Sequence, residues 1–417
     1  MDRLGGIRLR RPVLSIDNAE PAGETGMSET KKKAAAVAEE EEELLEEPVS
    51  PAGRLFREPH FSCYIVCTLG VAEPVDLPAV RAGIEATLAR HPRFCSIQVL
   101  DELDKSAKPM WVRTKVNLDD HIIVPDLGPT DTSADSEKAV EDYVSSLSTP
   151  SMPMDRSRPL WELHGDEGAE FRPRRFVNRT ISLDDVKNIK NAVGCTVNDV
   201  LVGLSSAALS RYYFRRTGES EGKKNIKVRT ALMVNLRPTP GLHELAKMME
   251  SGKNNGVKWG NRFGYMILPF HLAKHDDPLE YVRKATKVTR RKKSSMEAIF
   301  TYWSADMVVK LFGIKAAASL CYGMFSNTTL SFSNLAGPSE QILFCGNPIV
   351  YISPTSYGHP HALTMHWQSY MNTIKLALAV DETQFPDAHE LLDDFTESMR
   401  LIREAASRGT DKAQDGP

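Results

Sequence analysis

The 417-residue chain has no surplus of charge of either sign: 52 Lys and Arg stand against 55 Asp and Glu, for a formal net charge of -3. A protein that neutralises phosphates needs a basic excess, so no nucleic-acid partner is expected. Paired cysteines are also missing. Cys63, Cys67, Cys95, Cys195, Cys321 and Cys345 lie without C-x-x-C spacing, which points away from a zinc site or disulfide framework and towards a reducing, cytosol-facing compartment. No window reaches the roughly 18 uncharged apolar residues of a membrane span. The nearest run, Met307 to Phe325, contains Lys310 and Lys315. It reads first as a buried helix of the core, and second as a face lying on a membrane surface.

What is present is ordinary for a soluble globular chain, with 41% apolar and 26% charged residues and a length suited to two or three domains. Residues 1–48 read as a disordered extension. They have a basic start and an AEEEEELLEE run, with no apolar block for a signal peptide. Patterning begins at Val49. Phe61 to Gly70 reads as a strand, and "DLPAVRAGIEATLARHP" as a helix capped by Asp76, with Val80, Ile84 and Leu88 on one face. "FCSIQVL", "MWVRTKVNL" and "HIIVPD" follow as strands, then a helix from Ser136 to Leu147. Another strand starts at Leu160 and breaks off at Gly165.

Order resumes at Phe176. "SLDDVKNIKNAVG" carries a capping-box pattern at Ser182 and Asp185 with Gly194 as its stop, and Thr196, Asp199 and Gly218 repeat that grammar one helix later. Three strand-like runs, a helix from Pro278 to about Met296, a hairpin from His361 to Asp381 and an amphipathic last helix complete the pattern. Strands and helices mix throughout, so the fold class is α/β with mixed α+β sheets.

Taken in order, "SPAGRLF" (Ser50 to Phe56), "HPRF" (His91 to Phe94), "PLW" (Pro159 to Trp161), "VNDV" (Val197 to Val200) and "SNLAGP" (Ser333 to Pro338) resemble the plant wax ester synthase and diacylglycerol acyltransferase family. The resemblance runs from about Val49 to Ala406. It implies two chloramphenicol-acetyltransferase-like domains with a tunnel between them, and transfer of an acyl group from acyl-CoA to a fatty alcohol or diacylglycerol. Acyl-CoA would be a co-substrate; no cofactor or metal is implied. Peripheral membrane contact at the cytosolic face of the endoplasmic reticulum or plasma membrane is implied as well.

That chemistry needs a base, because an alcohol attacks a thioester only as its proton is removed. The family carries the base as the second His of H-H-x-x-x-D-G, between PLW and the N-D helix. No such string occurs in this sequence. At the corresponding place "PLWELH" runs through "GDEGAEFRPR" into "RFVNRTISLDD". The expected organisation is therefore an incomplete N-terminal acyltransferase domain at 49–164, a junction at 165–175 where the catalytic segment is missing, a C-terminal domain at 176–406 and a disordered tail at 407–417.

No catalytic residue is assigned. His164, followed by Asp166, reads as a structural or exposed strand histidine, and His389 to Asp393 as a chance H-x-x-x-D on the outer face of a helix. His359, His361 and His366 lack a carboxylate or Cys at ligand spacing. Pro159, Leu160 and Trp161 are core packing or substrate contacts. Asn198 and Asp199 are either helix-capping or tunnel residues. Ser333, Asn334, Gly337 and Pro338 form a turn, or a loop that donates to an oxyanion. Arg290 to Lys293 is a solvated helix end or an anion contact.

Three functional readings follow: a family acyltransferase whose gene model has lost an exon, a truncated product that binds lipid or a partner without catalysis, and an enzyme with a recruited base. The first two rank above the third, since a general base contributes about 10² to 10⁴ in rate. Loss of a central strand and its helix should leave unpaired edges and exposed apolar surface. The 417-residue chain is therefore expected to be poorly soluble or chaperone-bound on expression. A soluble monomer with one sharp melting transition would contradict this.

Overall fold

A computed structural model describes residues 47–414 except positions 57, 59–62, 73–74, 101–107, 126–132, 149–153, 165–173, 219–225 and 237–261. The extension before Glu47 and the core of the junction, Gly165 to Pro173, thus lie outside the described residues. The first part of the chain comprises β1 (Glu47–Pro48), α1 (Pro51–Leu55), β2 (Tyr64–Val71), α2 (Leu77–Ala86), β3 (Ser96–Val99), β4 (Met110–Arg113), β5 (Ile122–Ile123), α3 (Ser133–Ser146) and β6 (Leu163–His164). Beyond the junction come β7 (Arg174–Ser182), α4 (Leu183–Val193), α5 (Val197–Thr217), β8 (Ile226–Asn235), β9 (Phe263–Leu272), α6 (Leu279–Lys293) and α7 (Glu297–Ser326). The chain then forms β10 (Leu330–Ala336), β11 (Leu343–Phe344), β12 (Asn347–Tyr357), β13 (Leu363–Tyr370), β14 (Thr373–Asp381) and α8 (Ala388–Gln414).

Side-chain caps decide where several helices begin. Ser50 accepts from Gly53 N–H and Asp76 from Ala79 N–H, and each helix has Pro in its first turn, where a missing N–H costs nothing. Ser182 accepts from Asp185 N–H at 3.2 Å. The Asp185 carboxylate does not complete a box there; it pairs with Arg403 of α8 at 3.0 Å. Thr196 and Asp199 do form the reciprocal box, and Gly194 and Gly218 end their helices in the left-handed region. The last helix continues past Ala406 to Gln414, because no breaker intervenes before Gly409 and Ser407 Oγ bonds the Arg403 carbonyl one turn back. Residues 407–414, expected to be disordered, are thus helical.

The two parts of the chain are built on different scales. A six-stranded mixed sheet runs β7-β14-β13-β10-β8-β9, with β10 parallel to both β13 and β8 and the other neighbours antiparallel. Its core is drawn entirely from residues 177–406, with Leu363, Met365, Trp367, Leu376 and Leu378 sealed between sheet and helices. The earlier strands form separate small sheets: β1-β4-β3, β5-β6, and β2 attached to β12-β11. The runs read as strands at "MWVRTKVNL" and "HIIVPD" shrink to four and two paired residues, since their partners are equally short. Only Leu163 and His164 of the run from Leu160 are strand, paired in parallel with Ile122 and Ile123. Apolar side chains remain in solvent here, Ile65 at 79% exposure among them. Strands this short, in sheets of two or three, hold together only marginally by themselves.

The helix expected to be buried around Met307 to Phe325 is α7, which runs 30 residues with a kink at Gly313 (φ 81°) and buries few of them. Its buried positions are small or few: Ala298, Thr301, Ala317, Ala318 and Phe325. The large apolar residues face outward, with Phe300 at 69%, Leu311 at 67% and Phe312 at 72% exposure. Close approach selects the inner face. A Cβ on Gly264 of β9 would stand 1.9 Å from the Ala298 carbonyl oxygen, so only small side chains fit where helix and strand meet.

Candidate functional site

The five sequence segments that carry the family resemblance gather, in part, into pairs. Phe94 of "HPRF" presents its carbonyl to Trp161 of "PLW", whose Nε1–H donates to it at 2.7 Å, and the two rings meet edge to face. His121 stacks on the other side of Trp161, with centroids 4.2 Å apart, and its Nδ1 lies 2.7 Å from the Trp161 carbonyl oxygen. Pro159 is buried and Leu160 exposed. Trp161 therefore satisfies its indole and its carbonyl inside the first part of the chain, as a packing residue does.

The second pair is at the elbow where α4 and α5 meet at 99°. Asn198, in the first turn of α5, faces the end of β10, and Asn334 Nδ2 donates to Asn198 Oδ1 at 3.3 Å. Asp199 is sealed beneath, at 1% exposure. One carboxylate oxygen accepts from Thr196 N–H at 3.0 Å, and the other accepts from Thr289 Oγ1 of α6 in a short bond. Gly337 lies against the β13–β14 turn: its N–H donates to Ser369 Oγ at 3.2 Å, and a Cβ there would come within 2.2 Å of the Ser369 carbonyl oxygen. Pro338 accepts from Met371 N–H at 2.9 Å. The loop is fixed by packing, which leaves Ser333 and Asn334 presented at the strand end. Ser333 Oγ and the Asn198 Nδ2–H groups make no hydrogen bond among the described residues; Asn334 turns towards Asn198, and Ser333, its neighbour along the strand, turns to the opposite face with His366.

The three histidines His359, His361 and His366, grouped already by sequence, lie next to this strand end and are joined through a hydroxyl that their spacing does not reveal. His366 is the β13 partner of Ser333 in the parallel register. Its Nε2 is 3.2 Å from Ser356 Oγ, which also contacts His359 Nε2 at 3.2 Å; His359 and His361 meet Nδ1 to Nδ1 at 3.1 Å, and His361 Nε2 reaches Thr328 Oγ1 at 2.8 Å. The ring nitrogens are engaged with one another and with hydroxyls. Among the described residues no group of three or more His, Cys, Asp or Glu is arranged to hold a metal ion. Loss of hydration pushes His366 down to about 4, although part of its surface stays open.

The other titratable candidates lie elsewhere. His164 sits between Tyr143 OH at 2.5 Å and Glu162 at 3.1 Å; burial lowers its pKa against the opposing pull of Glu162. His389 pairs with Glu141 at 3.3 Å, while Asp393 pairs with Arg179 at 2.9 Å, so the H-x-x-x-D string is not a working unit. All six cysteines are free, with desolvation raising each thiol, Cys63 to about 11, so none is poised as a thiolate. A cavity of about 950 Å³ lies over β7 and is lined mainly by polar and charged groups such as Glu141, Arg175, Glu382 and His389.

Removing the Asp199 carboxylate strands the Thr196 N–H and Thr289 hydroxyl in a buried site. Asp199→Ala should therefore lower stability by about 1–3 kcal/mol, read by pulse proteolysis across a urea series. Asp199→Asn, which keeps an acceptor, should lose less. For His366 the unfolded imidazole titrates near 6.5 and the folded one near 4. Between these values the unfolded chain binds the extra proton, so stability falls as pH drops from about 6.5 to 4, by roughly 3 kcal/mol in all. His366→Gln should flatten that part of the stability profile; an unchanged slope would show that His366 is not its source.

With the geometry in place, the likeness to known proteins can be read on the fold. The model of the wax ester synthase/diacylglycerol acyltransferase catalytic domain matches residues 52–172, and that of the WS/DGAT C-terminal domain matches 259–403. Wax ester synthase/diacylglycerol acyltransferase 11 of Arabidopsis thaliana is 37% identical over 471 aligned positions, covering 86% of this chain and 95% of that protein. Wax ester synthase/diacylglycerol acyltransferase 4 of the same plant is 37% identical over 481, covering 87% and 91%. Among solved structures, a wax ester synthase/diacylglycerol acyltransferase from Marinobacter aquaeolei VT8 superposes with a TM-score of 0.57 at 16% identity, over 87% of this chain and 100% of that one. The first condensation domain of the CDA synthetase superposes with a TM-score of 0.50 at 11% identity, over 87% and 96%. These two share the chloramphenicol-acetyltransferase-like fold, and their likeness bears on fold alone. Matches in both parts of the chain, with relatives at 37% identity along most of it, mean that this chain belongs to the wax ester synthase/diacylglycerol acyltransferase family of acyltransferases.

Proposed function

We propose that this chain carries the acceptor framework of an acyl-CoA-dependent O-acyltransferase that forms wax esters, triacylglycerol or both, and that it is inactive as it stands because the segment bearing the catalytic base is absent. The observation that carries the reading is the missing H-H-x-x-x-D-G string between His164 and Arg174. Alignment length supports it. Eighty-six per cent of 417 residues is about 360, some 110 short of the 471 positions aligned with the Arabidopsis relative, so many positions of that protein face no residue here. The domain limits proposed are 49–164 and 176–406, with the junction between.

In the complete reaction the base takes the alcohol proton as the oxygen attacks the thioester carbonyl. The C–O bond forms, negative charge moves to the carbonyl oxygen, and the C–S bond then breaks to release CoA thiolate. Ser333 Oγ–H, on the same face as His366, is the donor we assign to that oxygen, while on the other face Asn334 and Asn198 tie the strand end to the helix that Asp199 holds. The framework for charge stabilisation is kept, whereas the proton acceptor is not. His366 does not substitute, because its one described bond is to Ser356 and its lowered pKa makes it a weak base. We place the protein at the cytosolic face of the endoplasmic reticulum or plasma membrane, where such substrates reside.

Two chains expressed in cells unable to make neutral lipid test this: the 417-residue chain, and the same chain with the corresponding segment of the Arabidopsis relative inserted after His164. Only the second should accumulate ester, and ester made by the first would overturn the inactivity. In the restored enzyme Ser333→Ala should lower kcat by about 10² to 10³ with KM little changed. Transcripts read across the codons for His164 to Phe176 separate the two origins: a longer form means a lost exon, and a sole short form means a truncated product.

A further inference from the structure

The outer face of α7 is the largest feature the acyltransferase reading leaves unused. Met296, Phe300, Trp303, Met307 and Leu311 follow one another at intervals of four, three, four and four residues, which puts them on one side of a helix. All five are exposed, with Met296 at 65%, Trp303 at 59% and Met307 at 55%. Contiguous apolar surface of this kind marks a binding surface. We propose that this face is a membrane-docking element that lies flat on a bilayer containing anionic phospholipid, and this proposal does not depend on catalytic competence.

Charge supports that occupant. From Arg290 to Lys315 the chain has six basic and two acidic residues. Both acids are already neutralised within the protein, Glu297 by Lys292 at 2.5 Å and Asp306 by Lys310 at 2.7 Å. Among the described residues Arg290, Arg291, Lys293 and Lys315 have no carboxylate partner, although Arg290 also bonds the Gly194 carbonyl, and three of the four lie in the last turn of α6 just before the apolar stripe begins. A row of cations beside a stripe of Phe, Trp and Leu is the composition of a helix lying in a lipid interface.

Topology rules out the helix crossing the bilayer. It leaves β9 by way of α6 and returns to β10, and both strands belong to one sheet with only β8 between them. A span would put its ends on opposite sides of about 30 Å of hydrocarbon. The kink at Gly313 and the anchoring of Ala298 and Thr301 on β9 hold the helix along the protein surface instead. The junction where the catalytic segment is missing leads into the far edge of the sheet from this face. That segment would enter at β7, one edge of the sheet, whereas α7 packs on β9 at the other edge. Six strands separate by five spacings of about 4.8 Å each.

The full chain made by cell-free translation, with vesicles of phosphatidylcholine and about one-third phosphatidylserine present, provides the test. A photoreactive phenylalanine analogue at Phe300 should crosslink to phospholipid, whereas the same analogue at buried Phe332 should not, which separates docking from capture of unfolded chain. Phe300→Glu, Trp303→Glu and Leu311→Glu together should reduce vesicle flotation at least tenfold. Arg291→Glu with Lys293→Glu should reduce it several-fold on anionic vesicles and have no effect on phosphatidylcholine alone. Crosslinking to a second copy of the chain, equal labelling of lipid from Phe332, flotation insensitive to the apolar triple change, or flotation unaffected by the paired charge reversal would each overturn the proposal.

Discussion

The buried carboxylate of Asp199 is the constraint on which the C-terminal part turns. It closes the capping box at the start of α5 and, with its other oxygen, takes the Thr289 hydroxyl of α6. One side chain thus fixes the angle at which α5 leaves the elbow and the helix that packs across it. Gly203 makes the same packing possible from the other side, since a Cβ there would meet the Val282 backbone at 2.7 Å. With α5 set, Asn198 meets Asn334 at the strand end that also carries Ser333. Of the two readings of Asn198-Asp199, capping is what Asp199 does, and Asn198 is half-buried against Asn334.

Local grammar was the most readable layer of the sequence. Thr196 with Asp199, Gly194, Gly218, Asp76 and the hairpin at Leu363 to Asp381 all do what their residue types suggest, because caps and turns are decided by neighbours within a few positions. The pairing of Phe94 with Trp161 and of Asn198 with Asn334 was not readable, since those partners are 67 and 136 residues apart. Nor was the orientation of α7. Periodicity assigns the inner face to the larger apolar residues, but here the inner face is Ala and Thr because Gly264 brings the strand so close. Steric fit overrode hydrophobicity. The histidine chain through Ser356 escaped for a related reason: spacing alone does not reveal that a hydroxyl on the preceding strand joins His359 to His366.

The contrast between the two parts of the chain follows from how sheets gain stability. The six-stranded sheet buries its central strands on both faces, and Trp367, Leu363 and Phe332 have no measurable contact with water. The strands before His164 pair in twos and threes, with ladders of two to four residues wherever β12 does not help. Any binding surface that survives in this chain is therefore more secure on the C-terminal part, where both the Asn198–Asn334 elbow and α7 are built.

The crossing strand β12 sets a timetable. Its residues Ile349 to Tyr357 form the only described ladder to β2, joining Val71 to Ile349 and Tyr64 to Tyr357. The ribosome must therefore add about 280 residues after Val71 before that strand meets its partner, roughly 15–60 s at common elongation rates of about 5–20 residues per second. During that interval the Tyr64–Val71 edge has open backbone groups in the crowded space near the exit tunnel. Its safe completion depends on what holds it there until the last quarter of the chain emerges.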